Sequence, residues 1–268
     1  MIRGLYTSGW SMLALSKKMD VVSNNLANAN TNGFKKDTVV YQSFPELLAI
    51  RINDTASNIN PSGQIGYMDF GSDVREVYTN FSQGPSQVTN NSLDFALKDV
   101  AFDPASTTKS VSMFTVGVPD GTGKVIDYYT RDGSFGLDVS NKLVTKEGYA
   151  VMGENGPITL DSEDFSVNSD GTIVQNGTAI GKLLITSFLD ASVLKKVGSD
   201  LYEAPVDVQI QPFTGEVLGG YLEQSNVNII NEMIDMITVT RSYEASQKIL
   251  QAQDGTLEKA VNEVGAVR

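Results

Sequence analysis

The chain has 268 residues, enough for one large or two to three small domains with a real hydrophobic core. Its formal net charge of −12 argues against a nucleic-acid partner, because binding to phosphates demands a basic surface. It contains no cysteine and no histidine, which removes thiol and imidazole catalysis, disulfides and most zinc and haem sites, so no cofactor or metal is expected.

Residues 1–36 open the chain with an amphipathic pattern. Steps of three and four from Met1 land on Leu5, Ser8, Met12, Leu15, Met19, Val22 and Leu26, and only Ser8 on that stripe is polar. This 3.5-residue period predicts a helix of roughly seven turns that packs on another helix. The cluster Asn28 to Gly33 then stops it, with Asn32-Gly33 as the turn signal. Within 1–36, Arg3, Lys17, Lys18, Lys35 and Lys36 face Asp20 alone, a net +4, so the remainder carries −16. That asymmetry could orient subunits, or it is simply the solvated face of a helix. Lys17, Lys18 and Asp20 also interrupt the apolar run, which rules against a cleaved signal peptide. No run in the chain approaches the ~18 apolar residues of a membrane span, so the protein is not expected to span one.

Residues 37–75 read as a partly flexible connector. Pro45 is a candidate helix start within Tyr41 to Ile52, and Asn53 to Gly71 is rich in Gly, Asn and Ser. From about residue 76 to 221 the pattern turns to period two. Val111–Val118, Val125–Thr130 and Leu183–Leu189 are strand-like, punctuated by Asp120-Gly121, Asp132-Gly133, Asn155-Gly156, Asp170-Gly171 and Asn176-Gly177. This predicts an all-β insertion, a sandwich or distorted barrel, with one short helix within Asp190 to Gly198.

The C-terminal segment, 222–268, repeats the helical pattern. From Ile229 the step gives Met233, Met236, Thr240, Tyr243, Gln247, Leu250, Asp254, Leu257, Val261 and Val264, with Ile230, Ile234 and Ile237 widening the first half into a face expected to be buried on more than one side. The expected fold class is therefore α+β. The terminal helices pair as a coiled-coil-like assembly core with the β insertion between them, or they are two ordinary amphipathic helices on a shared core.

Candidate chemistry is thin. Gly121-Thr-Gly-Lys124 lacks the full spacing of a phosphate loop, and Asn168-Ser-Asp-Gly171 lacks the alternating Asp series and closing Glu of a calcium loop; both read as turns. Asp94, Asp99 and Asp103 could supply a carboxylate pair for glycan hydrolysis, although nothing in the sequence makes two of them converge.

The ends of the chain carry a resemblance. Ser23 to Lys35, with Asn24, Asn25, Leu26, Ala27, Asn28, Gly33 and Phe34, resembles the N-terminal signature of the bacterial flagellar rod and hook proteins. Gly220 to Asn228, with Ser225, Asn226, Val227 and Asn228, resembles the C-terminal signature of the same family, and Leu93–Ala96 and Tyr129–Phe135 match between them. The likeness departs after Ala96, where Leu97 to Thr108 carries Pro104 and no glycine. The resemblance is strongest to the basal-body rod members and implies a structural, self-assembling subunit rather than an enzyme. Its partners would be copies of itself, other rod and hook subunits, and the flagellar type III export apparatus, which would take it across the cytoplasmic membrane without cleavage. Leu5, Met12, Leu15, Met19, Val22 and Leu26 with Ile229, Met233, Met236, Tyr243, Leu250 and Leu257 are the candidate assembly interface. A hook or hook-associated protein is the alternative within the family, and a secreted glycan hydrolase the alternative outside it.

Overall fold

A computed structural model describes residues 2–50, 64–69, 71–99, 110–120, 124–160, 165–175, 177–205 and 207–264. The chain is α+β, with a helix at each end and a β-rich middle. Helix α1 spans Ile2–Ala27 and helix α2 spans Ile229–Lys259, the latter running on into a wider π-type turn, Ala260–Val264. The chain divides into two compact units: residues 1–26, 37–78 and 229–268 form the first, and residues 27–36 and 79–228 the second.

In the first unit α1 and α2 run antiparallel. Near one end Gly4 lies so close to α2 that a Cβ there would come within 2.5 Å of Gln253 Nε2. Near the other, the Asn25 amide reaches Glu232. Two ribbons complete the unit, Asp37–Ser43 with Ser72–Thr79 and Leu47–Ile50 with Gln64–Met68. Pro45 therefore does not start a helix. It sits between two strands, because the flanking β-branched and aromatic residues find pairing partners in Ser72–Thr79 and Gln64–Met68. Most of the Gly-, Asn- and Ser-rich stretch expected to be flexible lies outside the described residues.

The second unit is built on a sheet centred on the strand Val111–Pro119, whose residues from Val111 to Gly117 are all buried. That strand pairs with Val125–Thr130, Ala150–Gly153 and Ile185–Phe188 along its two edges, and it shows no in–out alternation because Phe114 and Val116 enter one core while Val111 and Met113 enter another. The sheet carries ten strands and, among the described residues, stays open rather than closing into a barrel. The larger core gathers Phe95, Phe114, Phe135, Leu143, Leu160 and Ile173; a smaller one gathers Met113, Phe188 and Tyr202. Within Asp190 to Gly198 only one 3-10 turn forms, Ala191–Val193, capped by the Asp190 carboxylate. The chain then extends as Lys195–Val197, paired with Leu201–Glu203, because sheet pairing outweighs the weak helical preference of so short a segment. Asn168–Gly171 is a turn: Gly171 N–H donates to the Asn168 carbonyl and the Asp170 carboxylate accepts from Thr172.

Candidate functional site

Helix α1 ends where its sequence says it should. The Asn28 carbonyl and side-chain oxygen accept from Thr31, and Gly33 takes φ +69°, a left-handed conformation that suits glycine. That turn aims Phe34 and Lys35 into the second unit, where both are buried. Lys35 Nζ lies 2.6 Å from Glu223 Oε1 and donates also to the Ser82 carbonyl at 2.9 Å. The other Glu223 oxygen takes Arg131 Nε at 2.6 Å, and Oε1 accepts in addition from Gly84 N–H at 2.8 Å. Arg131 completes its fork on Asp99 Oδ2 at 2.9 Å and on the carbonyls of Leu97 and Ser112. Lys35, Glu223 and Arg131 are each at most 2% exposed.

Burial alone would raise the Glu223 carboxyl, but Arg131 and Lys35 outweigh it and hold the group below the ordinary carboxylate range. Burial likewise opposes the Arg131 charge, yet Glu223 and Asp99 keep it above its ordinary value. Burial pulls the Lys35 ammonium down against the attraction of Glu223. Nearly every donor and acceptor in the cluster is matched, which is the condition under which buried charges are tolerated at all.

Asn226 extends the same junction. Its backbone N–H donates to the Phe34 carbonyl at 3.4 Å, its Oδ1 accepts from Lys36 N–H at 2.7 Å, and its Nδ2 donates to the carbonyls of Asn80 and Ser82. The N-terminal, central and C-terminal motifs thus meet in space through Lys35, Arg131 and Glu223. Sequence reading quoted all three residues inside motifs; Lys35 was otherwise counted only among the basic residues of 1–36, and Arg131 and Glu223 were assigned no role. Lys35 stands beside Lys36 and Arg131 beside Asp132, so no local pattern singles the three residues out.

In the first unit the Asn25 amide bridges three elements. Its Nδ2 donates to the Asp37 carbonyl at 2.8 Å and to Glu232 Oε2 at 3.2 Å, and its Oδ1 accepts from Asp37 N–H at 2.9 Å. Asn25 and Glu232 are both buried. Between this contact and Gly4–Gln253 the two helices flank a groove of about 440 Å3 lined by Ser11, Ala14, Lys18, Val239, Ser242 and Ser246. Leu15 and Tyr41 line it as well, so the seam mixes small, polar and apolar side chains.

The sequence-derived interface residues fall into three groups. On α1, Val22 is buried, while Leu5, Met12, Leu15, Met19 and Leu26 are half-buried. On α2, Met236, Tyr243, Leu250 and Leu257 are half-buried. Ile229 and Met233 are exposed, because the inward row begins at Glu232 and continues through Met236, Val239 and Tyr243, one step round the helix from the expected one. Ile230 (69% exposed), Ile234 (56%) and Ile237 (54%) join Ile229 and Met233 in an outward apolar face, where burial on more than one side was expected. Of the motif residues, Gly33, Phe34 and Ser225 are buried, Asn28 and Val227 half-buried, and Asn24, Ala27 and Asn228 exposed. Trp10 packs edge-on against Phe44 at 5.1 Å between ring centres.

The hydrolase reading finds no support in this arrangement. Asp99 is engaged by Arg131 and by Ser112 N–H, Asp94 is buried, and Asp103 lies outside the described residues.

Comparison with known proteins adds the family. Three profiles match, all of flagellar rod and hook proteins: the flagella basal body rod protein over residues 5–35, the flagellar hook protein FlgE/F/G D1 domain over residues 111–175, and the flagellar basal body rod FlgEFG protein C-terminal over residues 218–263. The relatives include the flagellar basal-body rod protein FlgG of Buchnera aphidicola subsp. Schizaphis graminum, 33% identical over 97% of this chain and 98% of the relative. The flagellar hook-basal body complex protein FlhO of Bacillus subtilis is 31% identical over the whole of both chains, and the rod protein FlgF of Rhizobium meliloti is 30% identical over 99% of each. This chain belongs to the flagellar basal-body rod protein family.

Proposed function

We propose that this protein is a structural subunit of the flagellar basal-body rod and that it polymerises through its terminal helices. The observation that carries the reading is the outward apolar face of α2, Ile229, Ile230, Met233, Ile234 and Ile237, left in water by the single chain. Contiguous apolar surface of this kind belongs to an interface. The open groove between α1 and α2 supports the same reading, since a two-helix unit with so little filled core needs neighbours for stability. Contacts from one copy to the next that do not close on themselves generate a helical filament. In that filament the terminal helices pack in coiled-coil fashion along a hollow shaft, with the β-rich unit outside, and the shaft transmits torque from motor to hook. Its partners are copies of itself and other rod and hook subunits, and it reaches them through the flagellar export apparatus with its N-terminus uncleaved. Among the described residues no helix is long and apolar enough to cross a membrane.

The test is sedimentation and negative-stain microscopy of the full chain over a concentration series, beside a truncate lacking residues 1–26. Rods or tubes from the full chain and none from the truncate are expected. Polymers from the truncate would sink the reading.

A further inference from the structure

Two surfaces of the first unit are left unfilled, and they lie on different sides of α2. One is the apolar row Ile230, Ile234 and Ile237, each more than half exposed. The other is the groove of about 440 Å3 between α1 and α2, whose lining includes Ala14, Leu15, Val239, Ser242 and Ser246. At 100° per residue the isoleucine row stands roughly 150° round α2 from Val239, Ser242 and Ser246. The row of one chain therefore cannot reach the groove of the same chain. The groove is ready for an apolar occupant. Ser242 Oγ donates to the Thr238 carbonyl and Thr238 Oγ1 to the Ile234 carbonyl, both at 2.8 Å, so these two hydroxyls are already satisfied by their own helix. Covering them with hydrocarbon strands no donor. Lys18 is the charged member of the lining among the described residues, and its aliphatic stem suits an apolar neighbour.

We infer that the Ile230–Ile234–Ile237 row of one copy seats in the α1–α2 groove of the next, so that each copy completes the core of its neighbour. This rests on the reading of the chain as a polymerising rod subunit and names the contact that builds the polymer. The two surfaces differ and point different ways, so the contact is head-to-tail. Any oligomer then keeps one free row and one free groove at its ends, which is the condition for an open filament rather than a closed dimer. In a filament whose helices run along the shaft, every α2 points the same way. Seating Ile234 against Ser242 then slides neighbouring copies by about 12 Å along the helix. A free chain has nothing to put in the groove, and its helix pair lacks the packing that would hold it. Helix order and polymer contact accordingly arrive together, as copies add.

The chain has no cysteine, so introduced thiols report this contact alone. Two double variants of the full chain carry one thiol on each surface at the required spacing: Ile234→Cys with Ser242→Cys, and Ile230→Cys with Thr238→Cys. Within one ordered α2 the two thiols of a pair stand about 12 Å apart along the axis. A disulfide spans no more than roughly 7 Å between Cα atoms, so a bond formed in the polymer joins two copies. Each variant is polymerised under reducing conditions beside the unaltered chain, sedimented, oxidised in the pellet and run on a non-reducing gel. Ladders of dimers, trimers and longer species are expected from at least one pair, cleared by reductant and absent from the four single variants. Polymers that sediment yet give no ladder from either pair overturn this contact and leave the rod-subunit reading standing. Dimers from Ile230→Cys or Ile234→Cys alone, as abundant as the ladder, mean that two rows meet each other, and overturn it as well. An unaltered chain that forms no polymer at any concentration takes the rod-subunit reading down together with the contact.

Discussion

Asn25 and Glu232 stand 207 residues apart in the chain, and their side chains meet at 3.2 Å between the two helices. Both are buried, and Asn25 also exchanges two hydrogen bonds with the backbone of Asp37. A buried polar contact of this kind fixes the register of the two helices, because any slip leaves its groups without their partners.

Asn25→Ala is expected to lower the stability of the first unit by about 1–3 kcal/mol, since it strips partners from Asp37 and Glu232 together. Asn25→Leu is expected to cost no less, because added apolar volume does not satisfy a carboxylate. Urea midpoints followed by helical circular dichroism decide this; an Asn25→Leu chain more stable than the parent would contradict it.

Glu223→Gln leaves Lys35 and Arg131 buried with Asp99 as the remaining carboxylate of the cluster. The expected loss is about 3–5 kcal/mol. Removing Lys35 as well, in Lys35→Met/Glu223→Gln, is expected to cost less than Glu223→Gln alone, because one of the two cations goes with its partner. Because its folded pKa is depressed, the Glu223 contribution is complete at neutral pH and is lost as pH falls through that depressed value. Acid titration of parent and double variant measures the difference.

Asp200 behaves in the opposite sense. Burial, with Glu147 and Asp132 nearby, pushes its carboxyl up to about 6. The native state holds this proton longer than the unfolded chain does, so stability falls as pH rises from about 4 to about 6. Asp200→Asn is expected to remove that slope and, after allowance for solvent screening at a half-exposed site, to stabilise the protein at pH 7 by about 1 kcal/mol. Thermal melts at pH 4, 5, 6 and 7 show whether the two curves converge at the acid end.

Gly33→Ala tests the turn that delivers Lys35. A Cβ at this position would lie 2.5 Å from the backbone of Arg131 and Asp132, at φ +69°. Strain and collision together are expected to cost at least about 2 kcal/mol. A neutral result in urea denaturation would mean that the turn can move without disturbing the Lys35–Glu223 pair.

Replacing Ile230 and Ile234 together by Glu is expected to leave single-chain stability within about 0.5 kcal/mol, since both side chains already face water. The same change is expected to abolish polymerisation. Sedimentation beside denaturation separates the two effects, and polymers from the double variant would remove the outward face of α2 from the interface.

Much of this molecule is legible without coordinates. The 3.5-residue apolar period marks both terminal helices, Asn32-Gly33 marks where the first one stops, and the β-branched runs with their Gly turns mark the middle as β, because all three signals depend on neighbours close in the chain. The family signatures at the two ends are equally local. Which row of α2 turns inward was not legible: Ile229 and Met233 continue the apolar period as well as any residue, yet Glu232 occupies the inward position because Asn25 waits there with a donor. Nor did periodicity reveal the buried cluster of Lys35, Arg131 and Glu223. A lone charged side chain belongs in water, and nothing local marks these three as buried. Local pattern determines which elements form. Only the tertiary structure decides which charges are buried, because that depends on partners 92 and 188 residues away meeting with matched donors and acceptors.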